Sequence, residues 1–158
     1  MSYFSLFYFY LFYNSPMSEF RFYHPIDVRY GDLDPQGHLN NAKYLTYFES
    51  GRINYFVHLG LFTPGHSFMD IGVIMAEASV TFRAPVHYGV PVKVGVRTSK
   101  IGNKSMVVDQ NIVHAGSGEV LATGKVILVA FDYHTNKTLP VPDVMREKIS
   151  KFEGLEVG

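Results

Sequence analysis

The sequence predicts an α+β fold: one long helix enclosed by an antiparallel sheet of about five or six long strands, with a short helix at the C-terminal end. Three observations carry this. From Asn41 to Leu59 there is no Pro and one Gly, Gly51, while Tyr44, Leu45, Phe48, Arg52, Tyr55, Phe56 and Leu59 recur at three- and four-residue steps, the period of a helix. Four strand-like runs then follow, Gly72 to Val86, Pro91 to Ile101, Ser105 to His114 and Val120 to Tyr133, separated by short Gly-containing turns. The helix also carries more apolar positions than a one-sided surface helix needs, so a sheet is expected to wrap round it.

The first sixteen residues, MSYFSLFYFYLFYNSP, hold eight aromatic side chains and no charge. The apolar run from Tyr3 to Tyr13 is about half the length of a membrane span, and it has neither the basic start nor the small-residue cleavage site of a secretory signal. Met17 opens MSEFRFYHPIDVRY, which reads as an ordinary protein start. Residues 1–16 are therefore expected to lie upstream of the natural start or outside the fold, without anchoring the chain to a membrane, and residues 17–158 to form a single domain.

A first strand is expected from Phe20 to Tyr30, where Phe20, Phe22, Ile26, Val28 and Tyr30 alternate with polar residues, broken at Pro25. It leads into RYGDLDPQGHLNN, a turn by its Asp34-Pro35 and Gly37. Asn40 is a good N-cap for the helix, whose orphan N–H groups then face the Asp34 loop and favour negative charge. A carboxylate beside such a helix start pairs a base or nucleophile with a stabiliser for a developing oxyanion. Gly60 suits the end of the helix, and the segment to Asp70 reads as a loop able to cover a pocket. Beyond Pro140 and Pro142 a short amphipathic helix is expected from Asp143 to Phe152.

Composition removes several function classes. Fourteen basic and 14 acidic residues balance, so no global field draws nucleic acid. With no Cys there is no disulfide, thiolate metal site or Cys nucleophile. The seven His residues are dispersed, without the paired spacing of a metal-binding helix, so no metal is expected. Neither a phosphate-cradling Gly-rich loop nor a nucleophile elbow is present. The cytoplasm is the expected location.

The run Asp32-Leu33-Asp34-Pro35-Gln36-Gly37-His38-Leu39-Asn40-Asn41, with Tyr44 and Tyr47-Phe48-Glu49 after it, resembles the acyl-CoA thioesterases of the hotdog fold, specifically the 4-hydroxybenzoyl-CoA thioesterase-like group. The resemblance extends over about Phe22 to Phe152, with the specific motif confined to this loop and helix. It implies a sheet wrapped round a central helix, a homodimer often assembled into a homotetramer, and hydrolysis of a coenzyme A or acyl-carrier-protein thioester. No cofactor is implied beyond the coenzyme A of the substrate.

The resemblance assigns the catalytic carboxylate to Asp34, as nucleophile or as base for a water, and the oxyanion donor to the main-chain N–H of Asn41. The plain alternatives are an Asx-turn for Asp34 and helix capping for Asn41. His38 is placed to orient the carboxylate, a water or the carbonyl, against the reading of an ordinary loop histidine. Some hotdog thioesterases carry the carboxylate on the helix, which makes Glu49 the rival of Asp34; the plain reading pairs Glu49 with Arg52 three residues on. Asp32 is expected to organise the turn by bonding backbone N–H groups. Glu77, Arg83 and His87 read as solvent-face or interface residues. Arg83, Lys93, Lys100 and Lys104 are the candidates for coenzyme A phosphates, and an apolar tunnel between helix and sheet would suit the acyl group. A non-catalytic acyl-CoA binding module and a hotdog dehydratase or hydratase are the alternative functions; the motifs of the latter are missing.

Overall fold

Apolar residues in four long strands build the sheet; three of them bury side chains in the core, while the one from Val73 to Phe82 is exposed on both faces. The structure, a computed structural model, describes residues 20–156, so the expected N-terminal extension and the start at Met17 lie outside the described residues. The strands are β1 (Phe22–Ile26), β2 (Val73–Phe82), β3 (Val92–Ile101), β4 (Ser105–His114), β5 (Val120–Asp132) and β6 (Lys137–Thr138). They form one antiparallel sheet in the order β1-β3-β4-β5-β2, with β6 paired to β5. The long helix α1 (Asn41–His58) packs on β1, β3 and β4, and the short helix α2 (Asp143–Glu153) on β3. This is the hotdog arrangement.

Helix α1 starts where expected because the Asn40 side chain accepts from the Ala42 N–H at 3.0 Å. It ends one residue before Leu59, and Gly60 then takes a positive φ of 64°. Tyr44, Tyr47, Phe48, Gly51, Arg52, Tyr55 and Phe56 are buried, against Val92, Val94, Val96, Val108, Ile112, Ala122 and Val126 of the sheet.

The helix lies directly on the sheet. A methyl group added at Gly51 would sit 2.5 Å from Val94 Cγ1, and one at Gly124 would sit 2.6 Å from Phe48 Cε2. The expected acyl tunnel between helix and sheet has no room at these two crossings. Nor is the helix enclosed on all sides: Leu45 is 39% exposed and Glu49 is exposed. The surplus of apolar positions leaves Leu45 on a second face that the sheet does not cover.

The first strand is shorter than expected. It passes through Pro25, which an edge strand tolerates, and stops at Ile26. Tyr30–Asp32 instead form a single 3-10 turn. Strand β2 likewise ends at Phe82, because Val86 leaves the sheet to become buried behind the candidate loop.

Candidate active site

Short-range hydrogen bonds close the Asp34 loop on itself. Leu33 and Leu39 face each other as an isolated antiparallel bridge, Asp34 N–H donates to His38 O at 2.7 Å, and Gly37 N–H donates to Asp34 O at 3.0 Å. Gly37 has a φ of 78°, a conformation that a side chain would strain. Two further bonds fasten the loop to its surroundings: Leu39 N–H to Val86 O at 2.7 Å, and Asn40 N–H to Asp32 O at 2.9 Å.

Within this loop Asp34 Oδ1 accepts from Gln36 N–H at 2.9 Å and His38 N–H at 3.0 Å. That is the Asx-turn read as the plain alternative, and it engages one carboxylate oxygen. Among the described residues, Oδ2 accepts no hydrogen bond. Asp34 is half-buried and close enough to the first turn of α1 for its charge, after burial, to raise the Tyr44 phenol. Tyr44 is buried, its ring edge-on to Phe82 at 4.8 Å.

At the helix start Asn40 engages the Ala42 and Lys43 N–H groups through its side chain and carbonyl. The Asn41 N–H has no partner among the described residues, as the first amide of a helix lacks one by geometry. Asn41 itself is exposed.

His38 is half-buried and pairs with His87 through both backbone and ring: the two form an isolated bridge, with ring centroids 5.0 Å apart at 69°. His87 is exposed, as read from the sequence, and it also touches the loop through His38. No sequence signal joins residues 49 positions apart.

Glu49 lies two turns into α1 on its exposed side and does not pair with Arg52 as expected. The buried Arg52 guanidinium donates to Gln110 Oε1 at 2.9 Å, and Gln110 Nε2 donates to Phe48 O at 2.7 Å. Burial lowers the Arg52 pKa, and the Glu49 charge acts on it only through space.

Asp32 is more connected than expected. Its carboxylate, 3% exposed, accepts from Arg29 Nε at 3.0 Å and from Tyr47 Oη at 2.9 Å, with Lys43 Nζ at 3.4 Å. Side chains dominate, joined by one backbone contact from Arg29 at 3.3 Å. Burial would raise this carboxyl, but the hydrogen bonds from Arg29, Tyr47 and Lys43 outweigh it and bring it down to about 2. Asp32 thereby ties the strand exit to the first two turns of the helix.

Of the expected phosphate partners, Lys93 covers the Tyr23 ring at 4.8 Å and Lys104 donates to Thr138 Oγ1 at 3.3 Å. Lys100 lies at the end of β3 remote from the Asp34 loop, and Arg83 and Glu77 are exposed. Among the described residues no group of three or more potential ligands gathers to hold a metal ion, and no helix is long and apolar enough to cross a membrane.

Comparison with known proteins decides the family: residues 28–149 match the thioesterase-like superfamily. The chain belongs to that superfamily. Its reaction class is thioester hydrolysis. The fold is similar to a thioesterase from Thermus thermophilus solved with coenzyme A and zinc, at 34% identity and a TM-score of 0.76, covering 87% of this chain and 98% of that one. A predicted thioesterase from Bacillus stearothermophilus is 31% identical with a TM-score of 0.74, covering 83% and 95%. In sequence, the long-chain acyl-CoA thioesterase FadM of Escherichia coli is 26% identical over 129 residues, 80% of this chain and 96% of that protein.

Proposed function

We propose that this protein is an acyl-CoA thioesterase that converts an acyl-CoA and water to a free carboxylic acid and coenzyme A, with Asp34 as the reacting carboxylate. One observation carries the reading: Asp34 uses Oδ1 to hold its own loop and keeps Oδ2 open beside a helix start whose Asn41 N–H is unpartnered. Oδ2 either attacks the thioester carbonyl carbon or takes a proton from an attacking water. In both cases negative charge grows on the carbonyl oxygen, and a fixed main-chain amide at a helix N-terminus stabilises it without reorganising. The tetrahedral intermediate then expels the coenzyme A thiolate. If Asp34 attacked directly, water hydrolyses the resulting anhydride and regenerates the carboxylate.

The acyl group runs along the open face of α1, past Leu45 and Phe82, since the packed seam beneath is closed. A second copy of the chain completes that groove. Strand β2 supports this assembly: it is ten residues long, exposed on both faces, carries one charge, Glu77, and pairs only with β5 among the described residues.

Thiol release from a panel of acyl-CoA substrates tests the function. The wild type is expected to cleave at least one chain class, and Asp34→Asn to lose at least ~100-fold in kcat while keeping its fold, because the amide oxygen still accepts the two loop N–H bonds. An active Asp34→Asn protein alongside an inactive Glu49→Gln protein would move the chemistry to the helix.

A further inference from the structure

Two phenol rings stand in water beside the Asp34 loop, and nothing in the proposed chemistry uses them. Tyr30 is 81% exposed and Tyr88 is 63% exposed, and the rings meet edge to face with centroids 6.3 Å apart. Single exposed apolar side chains are ordinary, but a touching pair of large exposed rings is a patch.

The patch is fixed rigidly to the site. Tyr30 opens the 3-10 turn that ends at Asp32, and Tyr88 follows His87, whose backbone bridges to His38. Asp34 is four positions after Tyr30, a reach of at most about 14 Å.

The charges around this patch are arranged unevenly in depth. Arg29 precedes Tyr30 in sequence, and both Arg29 Nη2 and Lys43 Nζ converge on Asp32 Oδ1, at 3.3 and 3.4 Å. The two cations are 71% and 38% exposed, whereas the shared carboxylate is 3% exposed. With Asp34 included the cluster is neutral, but an arriving anion meets the cations first, and one buried carboxylate cannot neutralise both of them.

We propose that Tyr30 and Tyr88 form the docking platform for the purine ring of coenzyme A, with Arg29 and Lys43 meeting its phosphates. This inference rests on the thioesterase reading and assigns residues to the nucleotide end of the carrier, which a thioester held on a carrier protein would not present. A purine offers a flat π face to the phenols, and its phosphates meet the exposed sides of Arg29 and Lys43, which are 71% and 38% exposed while the carboxylate they share is 3% exposed. The four basic candidates legible in sequence do not combine cation and ring in this way near the loop; Lys93, which does cover a ring, covers Tyr23 of β1.

The test compares one acyl group on two thiols, coenzyme A and pantetheine, the second lacking the nucleotide. In the Tyr30→Ala/Tyr88→Ala double variant the ratio of kcat/KM for acyl-CoA over acyl-pantetheine is expected to fall about tenfold, through KM. The Tyr30→Phe/Tyr88→Phe variant keeps the π faces and restores most of that ratio. Titration calorimetry with free coenzyme A, which needs no turnover, should show a parallel loss of affinity in the alanine variant, and high salt should weaken wild type and variant alike through the Arg29 and Lys43 contacts. An unchanged ratio with unchanged coenzyme A affinity overturns the platform. So does a change in oligomeric state by light scattering in the alanine variant, since the rings would then be a contact between copies. If the wild type cleaves neither thioester, the thioesterase reading fails on its own, and the coenzyme A titration still decides the platform.

Discussion

Tyr47 donates its phenolic proton to Asp32 Oδ2 at 2.9 Å, joining the second turn of the central helix to the turn that launches the Asp34 loop. Both groups are buried, and the bond orients the loop against the helix start, where Asp34 and the Asn41 amide have to share one target. Asp32 also accepts the Arg29 and Lys43 contacts, so its carboxylate is the joint through which strand exit, loop and helix move together.

The depressed Asp32 pKa, about 2 against an ordinary 3.8, makes this joint pH-dependent. A carboxyl held low in the folded state binds its proton first in the unfolded state. Its contribution is therefore complete above about pH 4 and is lost as pH falls toward 2. Arg29 stands largely in water and screens the cluster, so the contribution is about 1–2 kcal/mol, below what the full shift implies. Urea unfolding between pH 2 and 7 should show wild-type stability falling through this window, and Asp32→Asn should be less stable at pH 7 with a flatter acid limb. Tyr47→Phe should lose ~1 kcal/mol by removing one buried hydrogen bond. A wild-type acid limb retained in Asp32→Asn would assign the dependence to other carboxyls.

The buried Arg52 makes a second test. Its guanidinium donates to a neutral amide, Gln110 Oε1, and Gln110 in turn caps the Phe48 carbonyl. Truncating Gln110 to Ala leaves a buried cation and a buried carbonyl unpaired, a loss of about 3–5 kcal/mol. Replacing Arg52 by Met removes the charge, fills similar volume and should cost less than about 1.5 kcal/mol. Combining the two should recover part of the Gln110 loss, a favourable coupling measurable in a double-mutant cycle by denaturant unfolding. Strict additivity would mean that the pair does not interact.

Most of the fold was legible because the signals were local. Asn40 followed by a 3.6-residue apolar period located the helix start, and alternation between two turns located β4 at its observed ends. What misled was direction and distance. Arg52 stands three residues after Glu49, which permits a pair, but spacing cannot show that Gln110 of β4 waits on the buried side. The alternation that runs on to Tyr30 gives no hint that the chain tightens into a 3-10 turn to bring Asp32 under Tyr47. Of the candidate site, the Asp34 turn and helix cap were readable within one segment. The His38 contact with His87 and the Tyr30 contact with Tyr88 were not, because each joins chain segments that only the sheet brings together.

Gly124 shows how closely the helix is seated. The Phe48 ring occupies the space of its missing side chain, with Cε2 2.6 Å and Cζ 3.0 Å from where a Cβ would stand. A methyl group there must push the ring, and with it the helix, away from the sheet, and Phe48 is buried with no free direction to turn. Gly124→Ala is expected to destabilise by about 1–3 kcal/mol despite the entropy gained over Gly in the unfolded chain. Gly31→Ala is the control, since a Cβ there meets nothing within 4 Å and its stability should stay within about 0.5 kcal/mol of wild type. Equal midpoints for the two variants in guanidinium unfolding would mean that the seam has slack. The acyl group could then enter between helix and sheet after all, instead of following the open face past Leu45.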